Sequence, residues 1–168
     1  RPDWVVVNEG GHGFYRVRYA SPLLERLLRA PSEAMAPIER FNLINDAWAA
    51  TLAGIAPVSD YLELTARFTE ETDRHVWMAL LASFGYLSRI LPPDLRSGFE
   101  SLIRDRLGVI AARLGWTPRP DEDDLTRQLR GDILRAMGTL GNDTDVQAEA
   151  RAFYARHDAA TSSADPGV

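Results

Sequence analysis

The sequence predicts a mainly α-helical chain of stacked antiparallel helical hairpins, preceded by one β-hairpin. The β-hairpin is predicted because residues 1–19 combine β-branched and aromatic runs with a glycine-rich loop. The helices are predicted because apolar residues recur every three or four positions from Ser21 onward, in seven consecutive segments. Short and long segments alternate, and their pairs recur roughly every 35–40 residues, which is typical of stacked helical repeats. An α-α superhelix of the HEAT or armadillo kind is therefore the first choice, and a closed helical bundle the second.

The predicted hairpin joins two strand-like runs, residues 4–7 and 14–19, through a loop with glycine at positions 10, 11 and 13. Glycine supplies the positive φ angles that such a loop needs. In the second run Tyr15, Val17 and Tyr19 share an apolar face that requires a partner. Because an isolated hairpin is only marginally stable, residues 1–19 are expected to complete a sheet that lies upstream. We expect the apolar face to fold back on the first helices and the strand edge to support self-association.

Each predicted helix has an apolar stripe and a recognisable start or stop, supplied by serine, aspartate, proline or glycine. The predicted spans are Ser21–Arg29, Pro37–Ala53, Ser59 to about Glu70, Asp73–Leu91, Pro93 or Asp94 to Leu114, Leu125–Leu140, and a last helix that follows Asp143. The inward stripe predicted for the second helix consists of Ile38, Phe41, Ile44, Trp48 and Leu52. Five residues at the middle of such stripes are predicted to be core: Trp48, Trp77, Phe84, Leu102 and Ile133.

The composition limits the function classes that fit. A formal net charge of −5 argues against a sequence-independent nucleic-acid binder, which needs clustered basic residues. No apolar run approaches the ~20 residues that span a bilayer, so no membrane partner is predicted. The chain has no cysteine, which excludes a disulfide framework and a thiolate site. No signal peptide is recognisable, the start resembles a cut inside a longer gene product, and a cytoplasmic location is predicted.

Catalytic motifs are missing from the sequence. The three histidines, His12, His75 and His157, are far apart, and no H-E-x-x-H spacing occurs. The glycines at positions 10, 11 and 13 are not followed by Lys-Ser or Lys-Thr, which argues against a phosphate-binding loop. No G-x-S-x-G elbow is present. We therefore predict no catalytic, cofactor-binding or metal-binding residues, and no enzyme activity for this chain alone.

Two motifs resemble a known family. Asn8 and the run at residues 13–19 resemble the segment that ends the β-sandwich domain of the aminopeptidase N family of zinc metallopeptidases. The run at residues 39–48 resembles the helix that opens the C-terminal helical domain of that family. Further on, Leu114-Gly115-Trp116 and Leu129-Arg130 resemble a connector and a helix of bacterial members. The first two motifs, in this order and at this distance, are the more specific ones.

The resemblance implies a larger parent enzyme that removes N-terminal residues from peptides with a zinc ion held by an H-E-x-x-H motif. It implies that residues 1–19 end the β-sandwich domain and that residues 20–158 form the first part of the C-terminal helical domain. Residues 159–168 are low in apolar bulk, and their composition predicts a flexible tail. Such a domain would be non-catalytic, would help to enclose the substrate chamber, and would contact the upstream catalytic and β-sandwich domains. The zinc would belong to the parent enzyme, and no cofactor to this chain.

One side chain is a candidate for contact with substrate. The resemblance implies that Arg130, on the sixth predicted helix, lines the substrate chamber; its alternative role is an ordinary salt bridge. A different class of function also remains open at this point, since stacked helical hairpins can form a protein-binding scaffold unrelated to peptidases.

Overall fold

Seven α-helices make up the fold in the computed structural model, which describes residues 3–30 and 34–163, with side chains described as far as residue 156. The helices are α1 (Ser21–Leu28), α2 (Pro37–Leu52), α3 (Val58–Thr65), α4 (Arg74–Ile90), α5 (Arg96–Leu114), α6 (Asp124–Thr139) and α7 (Thr144–Ser163). Short 3₁₀ turns occur at Glu9–Gly11, Ala66–Phe68 and Pro93–Leu95. The prediction of a mainly α-helical fold is confirmed.

The helices form two layers. In one layer α4 packs between α2 and α6, and in the other α3 packs on α2 while α5 and α7 pack on α6. The α2–α4–α6 layer has the direct contacts within it, because α4 packs on both α2 and α6. Met78, Ala82 and Tyr86 of α4 are exposed, so this side of the layer has no helix against α4 among the described residues.

Helix boundaries follow local signals that the sequence displays. The Asp73 side chain accepts hydrogen bonds from the backbone N–H groups of His75 (2.8 Å) and Val76 (3.2 Å), and so caps α4. The acidic run before α6 acts in the same way, because Asp123 accepts from the backbone N–H of Thr126 at 2.8 Å. The C-terminal end of α5 is marked by Gly115, which has a φ of 62°, a value that glycine adopts without strain.

The core lies between the two layers. Trp77, Phe84 and Ile133 are fully buried, which confirms the prediction for these three residues. Trp48 and Leu102 are only partly buried and pack against the outside of the core. The ring of Phe84 meets that of Phe99 edge to face, with centroids 6.5 Å apart.

The predicted β-hairpin is wrong. No strand forms among residues 3–30 and 34–163, and side chains occupy the backbone groups that a ladder would use. The N–H of Val17 donates to a carboxylate oxygen of Asp46 at 2.9 Å, and the N–H of Val7 donates to the Tyr19 hydroxyl at 2.8 Å. A two-stranded ladder is marginal by itself, whereas a hydrogen bond to a carboxylate is charge-assisted.

The N-terminal segment still folds back on the helices, as expected. Val17 and Tyr19 are half-buried against α1 and α2, whereas Tyr15 is exposed. Since no strand edge forms in the described residues, the predicted self-association through a hairpin edge loses its basis. At the other end, α7 continues to Ser163, inside the predicted tail of residues 159–168, and residues 164–168 lie outside the described residues.

We expect Phe84→Ala to lower the free energy of unfolding by about 3–5 kcal/mol, because it removes a fully buried ring and leaves a cavity. Met78→Ala is the matched control, since Met78 lies on the exposed side of the same helix and should cost less than about 1 kcal/mol. Urea unfolding followed by circular dichroism measures both. Equal losses in the two variants would show that the core is assigned to the wrong face of α4.

Candidate functional site: the polar contacts of the second helix

Helix α2 carries a polar face that is turned inward. Glu39, Asn42 and Asp46 are three and four residues apart and therefore share one side of the helix. Both carboxylates are only 9 % exposed. The inward stripe predicted for α2 from the sequence does not coincide with this polar face. Of its five residues only Ile44 is fully buried, and Ile38 and Leu52 are exposed.

Glu39 joins the N-terminal segment to the start of α2. One carboxylate oxygen accepts a hydrogen bond from the backbone N–H of Gly10 at 2.8 Å, and the other accepts from that of Ala36 at 2.6 Å. The second bond caps α2, because it satisfies an N–H group that precedes the first helical turn.

Asp46 holds the same segment two helical turns later. Its Oδ1 lies 3.0 Å from Nη1 of Arg16, and its Oδ2 accepts from the N–H of Val17. The guanidinium compensates the charge of the carboxylate, and the backbone bond fixes the position of the chain. Both oxygens of Asp46 are therefore engaged in holding the N-terminal segment.

The glycine-rich loop fits closely against this face. Asn8, in a left-handed conformation with φ of 66°, bridges the loop by donating to the carbonyl of Gly13 and accepting from its N–H. Gly11 has a φ of 72°, and a Cβ there would lie 3.0 Å from side-chain atoms of Asn42 and Ile38. The glycines thus permit a tight turn and a close approach to α2, which agrees with the sequence argument against a phosphate loop.

A second polar cluster lies at the start of α2. The Glu71 carboxylate accepts from Nε (2.6 Å) and Nη2 (3.0 Å) of Arg40 and from the backbone N–H groups of Thr72 (2.7 Å) and Asp73 (2.8 Å). Its carbonyl oxygen accepts from the indole N–H of Trp77 at 3.0 Å. Burial alone would raise the pKa of Glu71, but the hydrogen bonds from Arg40 and the two N–H groups outweigh it and lower the pKa.

Arg130, the candidate chamber residue, is engaged inside the domain. Its guanidinium forms a bidentate ion pair with Glu122, and its Nε donates to the carbonyl of Leu114 at 3.2 Å. The two charged side chains are only 5 % and 7 % exposed. The hydrogen bond from Arg130 lowers the pKa of Glu122. Asp132, the carboxylate two residues after Arg130, does not take part in this ion pair and lies 2.9 Å from the guanidinium of Arg74 on α4.

The described residues offer no donor set for zinc. No group of three or more histidine, cysteine or carboxylate side chains is close enough to hold a metal among the residues described. His75 lies near one carboxylate, that of Asp73 at 3.6 Å, His12 is exposed, and the side chain of His157 lies outside the described residues. A zinc ion needs three or four such ligands, so the residues present do not fit it.

The comparison with protein families decides the identity of the domain. The family model described as the ERAP1-like C-terminal domain matches residues 4–167. The chain belongs to this family. None of the helices described for this ERAP1-like C-terminal domain is both long enough and apolar enough to cross a membrane.

Two aminopeptidases and a protease-interacting factor are among the relatives of this ERAP1-like C-terminal domain. Aminopeptidase M1 of Arabidopsis thaliana is 30 % identical over 157 residues, which cover 91 % of this chain and 18 % of the relative. The puromycin-sensitive aminopeptidase of Caenorhabditis elegans is 26 % identical over 155 residues, which cover 90 % and 16 %. The Tricorn protease-interacting factor F2 of Thermoplasma acidophilum is 27 % identical over 162 residues, which cover 86 % and 20 %. The resemblance to aminopeptidases is confirmed, and the chain spans about a fifth of these relatives' length.

The carboxylates that organise this ERAP1-like C-terminal domain are not recognisable as such in the sequence. Glu71 and Glu122 stand in acidic runs that are typical of helix ends and caps, and Glu39 and Asp46 carry no signal of burial by type, because a carboxylate is usually solvated. One signal was available, since Glu39 and Asp46 are seven residues apart and therefore share a helix face with Leu43. Their burial depends on Gly10 and Val17, about thirty residues earlier in the chain, and no helical period encodes that contact.

We expect Glu71→Gln to lower the free energy of unfolding by about 2–4 kcal/mol at neutral pH, because it leaves the Arg40 guanidinium without its charged partner. The folded-state pKa of Glu71 is lowered, so its contribution is complete well above its ordinary value of 4.5. That contribution is lost as the pH falls through 4.5 toward the lowered value. The stability difference between the two proteins should therefore narrow in acid.

Urea unfolding at a series of pH values from neutral to acid tests this expectation. Glu63→Gln is the matched control, because Glu63 is exposed on α3 and its replacement should change stability by less than about 0.5 kcal/mol. If the difference in the free energy of unfolding between the wild type and Glu71→Gln stayed constant as the pH falls, the stabilising role given to the ionised Glu71 carboxylate would be contradicted.

Proposed function

We propose that this chain is the non-catalytic C-terminal helical part of a larger zinc aminopeptidase that removes N-terminal residues from peptides. The observation that carries the proposal is the family match over residues 4–167, combined with relatives named as aminopeptidases that are about five times longer than the chain. In the proposed enzyme the chain packs against upstream catalytic and β-sandwich domains and helps to enclose the substrate chamber.

A non-catalytic role is supported by what the polar side chains already do. The carboxylates of Glu39, Asp46 and Glu71 each accept two or more hydrogen bonds from the chain itself, and Glu122 is paired with Arg130. Groups that are shielded and engaged in this way are connectors of the fold, and their burial leaves little room for a substrate to approach them. The catalytic zinc of the proposed enzyme would be held by ligands outside this chain.

The uncovered side of the α2–α4–α6 layer is the surface we propose for the chamber wall. On α4 this side carries Met78, Ala82 and Tyr86, all exposed, and Tyr86 meets the ring of Trp48 on α2 at 5.6 Å. An apolar and aromatic wall suits the varied side chains of peptides. The role of Arg130 as a lining residue stays a prediction, and so does the cytoplasmic location.

The first experiment compares this chain with the longer polypeptide of the same gene. We expect the purified chain to bind no stoichiometric zinc and to hydrolyse no aminoacyl 4-nitroanilide, because its sequence has no cysteine and no H-E-x-x-H spacing and the residues that the structure describes offer no zinc donor set. The longer polypeptide should contain H-E-x-x-H before residue 4 and should show zinc-dependent turnover. Activity of the chain alone that survives repurification, or a longer polypeptide without that motif, would contradict the proposal.

The second experiment tests the chamber wall. We expect Ala82→Trp in the longer polypeptide to slow the cleavage of long peptides while it leaves that of a small aminoacyl 4-nitroanilide unchanged, because the added indole would narrow the chamber without reaching the reacting atoms. Ala112→Trp is the matched control, since Ala112 is exposed on α5 in the opposite layer. Peptide length series for both variants give the measurement, and equal behaviour of the two would exclude this surface.

A further inference from the structure

The sulfur-containing side chains of this domain differ sharply in their access to solvent. The chain has three methionines and no cysteine. Met35 and Met137 belong to the core and are only 8 % and 6 % exposed, whereas Met78 on α4 is 45 % exposed. A thioether reacts with a dissolved oxidant only where the oxidant can reach it. Met78 is therefore the methionine of this chain that is open to chemistry in solution.

The neighbours of Met78 on α4 leave room around its side chain. One turn after it lies Ala82, which is exposed and carries only a methyl group. One turn before it lies Arg74, whose guanidinium is 2.9 Å from the Asp132 carboxylate of α6. That ion pair directs the long Arg74 side chain toward α6. Met78 thus stands open on the side of α4 that also carries Tyr86, which is the side proposed above for the chamber wall.

We propose that Met78 is a site of reversible oxidation by hydrogen peroxide, and that its sulfoxide weakens the binding of long peptides to the enzyme. In the oxidation a lone pair of the sulfur attacks one peroxide oxygen, an S–O bond forms and the O–O bond breaks. The other oxygen leaves as water after it takes up the second proton. The sulfur loses two electrons, and the peroxide gains them. The effect on peptides rests on the proposed function, whereas the reactivity of Met78 does not.

Oxidation changes what the wall offers to a peptide. The flexible thioether of methionine adapts to apolar side chains of different shape. The sulfoxide oxygen is a polar acceptor, and it loses its water when an apolar peptide side chain covers it, which costs free energy. Hydrogen peroxide is small enough to enter any chamber that admits a peptide. The effect should therefore fall on peptides long enough to reach α4 and spare a substrate of one residue.

Peroxide treatment followed by peptide mapping in a mass spectrometer tests the site. In this chain Met78 should gain one oxygen atom at least about tenfold faster than Met35 and Met137, which serve as buried internal references. Methionine sulfoxide reductases should then remove that oxygen. Equal rates at the three methionines would overturn the proposal. Protection of Met78 in the longer polypeptide would show that another part of that polypeptide covers it, and would overturn the proposal as well.

Peptide kinetics of the longer polypeptide, before and after mild oxidation, test the consequence. The KM for a peptide of about ten residues with apolar side chains should rise about three- to tenfold while kcat stays within about twofold, because ground-state binding is lost. Met78→Gln, which is polar and of similar length, should show a raised KM without peroxide. Met78→Leu, which is apolar and lacks sulfur, should show the same KM before and after peroxide. A rise for Met78→Leu on oxidation would assign the effect to another methionine and overturn the proposal.

Turnover of a small aminoacyl 4-nitroanilide separates this proposal from the proposed function. Zinc-dependent turnover, together with a peptide KM that does not respond to oxidation of Met78, overturns the present inference and leaves the proposed function supported. A longer polypeptide with neither zinc nor turnover, in which Met78 is still oxidised selectively, overturns the proposed function and with it the effect on peptides. In that case Met78 remains supported as a site of oxidation.

Discussion

The Glu71 carboxylate and carbonyl together connect three of the long helices. The carboxylate binds Arg40 at the start of α2, and the carbonyl accepts hydrogen bonds from Trp77 of α4 and, at 2.9 Å, from Arg113 of α5. The residue itself lies in the corner between α3 and α4, where helix geometry leaves backbone groups unsatisfied. Because one residue satisfies all these partners, the ends of the three helices are fixed relative to one another, and the apolar residues between the layers can pack to high density.

The same device recurs elsewhere in the domain. Glu39 and Asp46 hold the N-terminal segment on α2, and Glu122 holds α6 against the end of α5 through Arg130, which also donates to Leu114. In each case a carboxylate that is shielded from water accepts hydrogen bonds from a guanidinium or a backbone N–H. The donor belongs to a different segment of the chain. A buried charge without such a partner would be costly, so the contacts have to form together with the fold. Polar connectors thus define how segments without a large apolar interface sit on the helices.

Features that depend on contacts close in sequence could be predicted, and features that depend on contacts far apart in sequence could not. The seven helices, the Asp73 cap and the burial of Trp77, Phe84 and Ile133 depend on local signals and helical period, and they could be predicted. The prediction of the β-hairpin was wrong because the backbone N–H of Val17 donates to the Asp46 carboxylate, which is distant in sequence, and not to a neighbouring strand. The two ends of the predicted α2 stripe, Ile38 and Leu52, are exposed, because the buried side of α2 also includes Glu39 and Asp46, whose partners lie about thirty residues earlier. The connectors of the candidate site were therefore the part that a single sequence hid.

The engagement of Arg130 limits how it could act on a substrate. A peptide carboxylate that reached its guanidinium would have to displace Glu122, which binds it bidentately, and would do so in a place where both side chains are largely shielded from water. The exchange would replace one ion pair by another and would leave the Glu122 charge in need of a new partner, so its net gain would be small. Exposed residues of the α2–α4–α6 layer, such as Met78 and Tyr86, carry no such penalty, because no internal ion pair is broken when a peptide covers them. On physical grounds the uncovered layer is thus a better candidate than Arg130 for direct contact with a peptide.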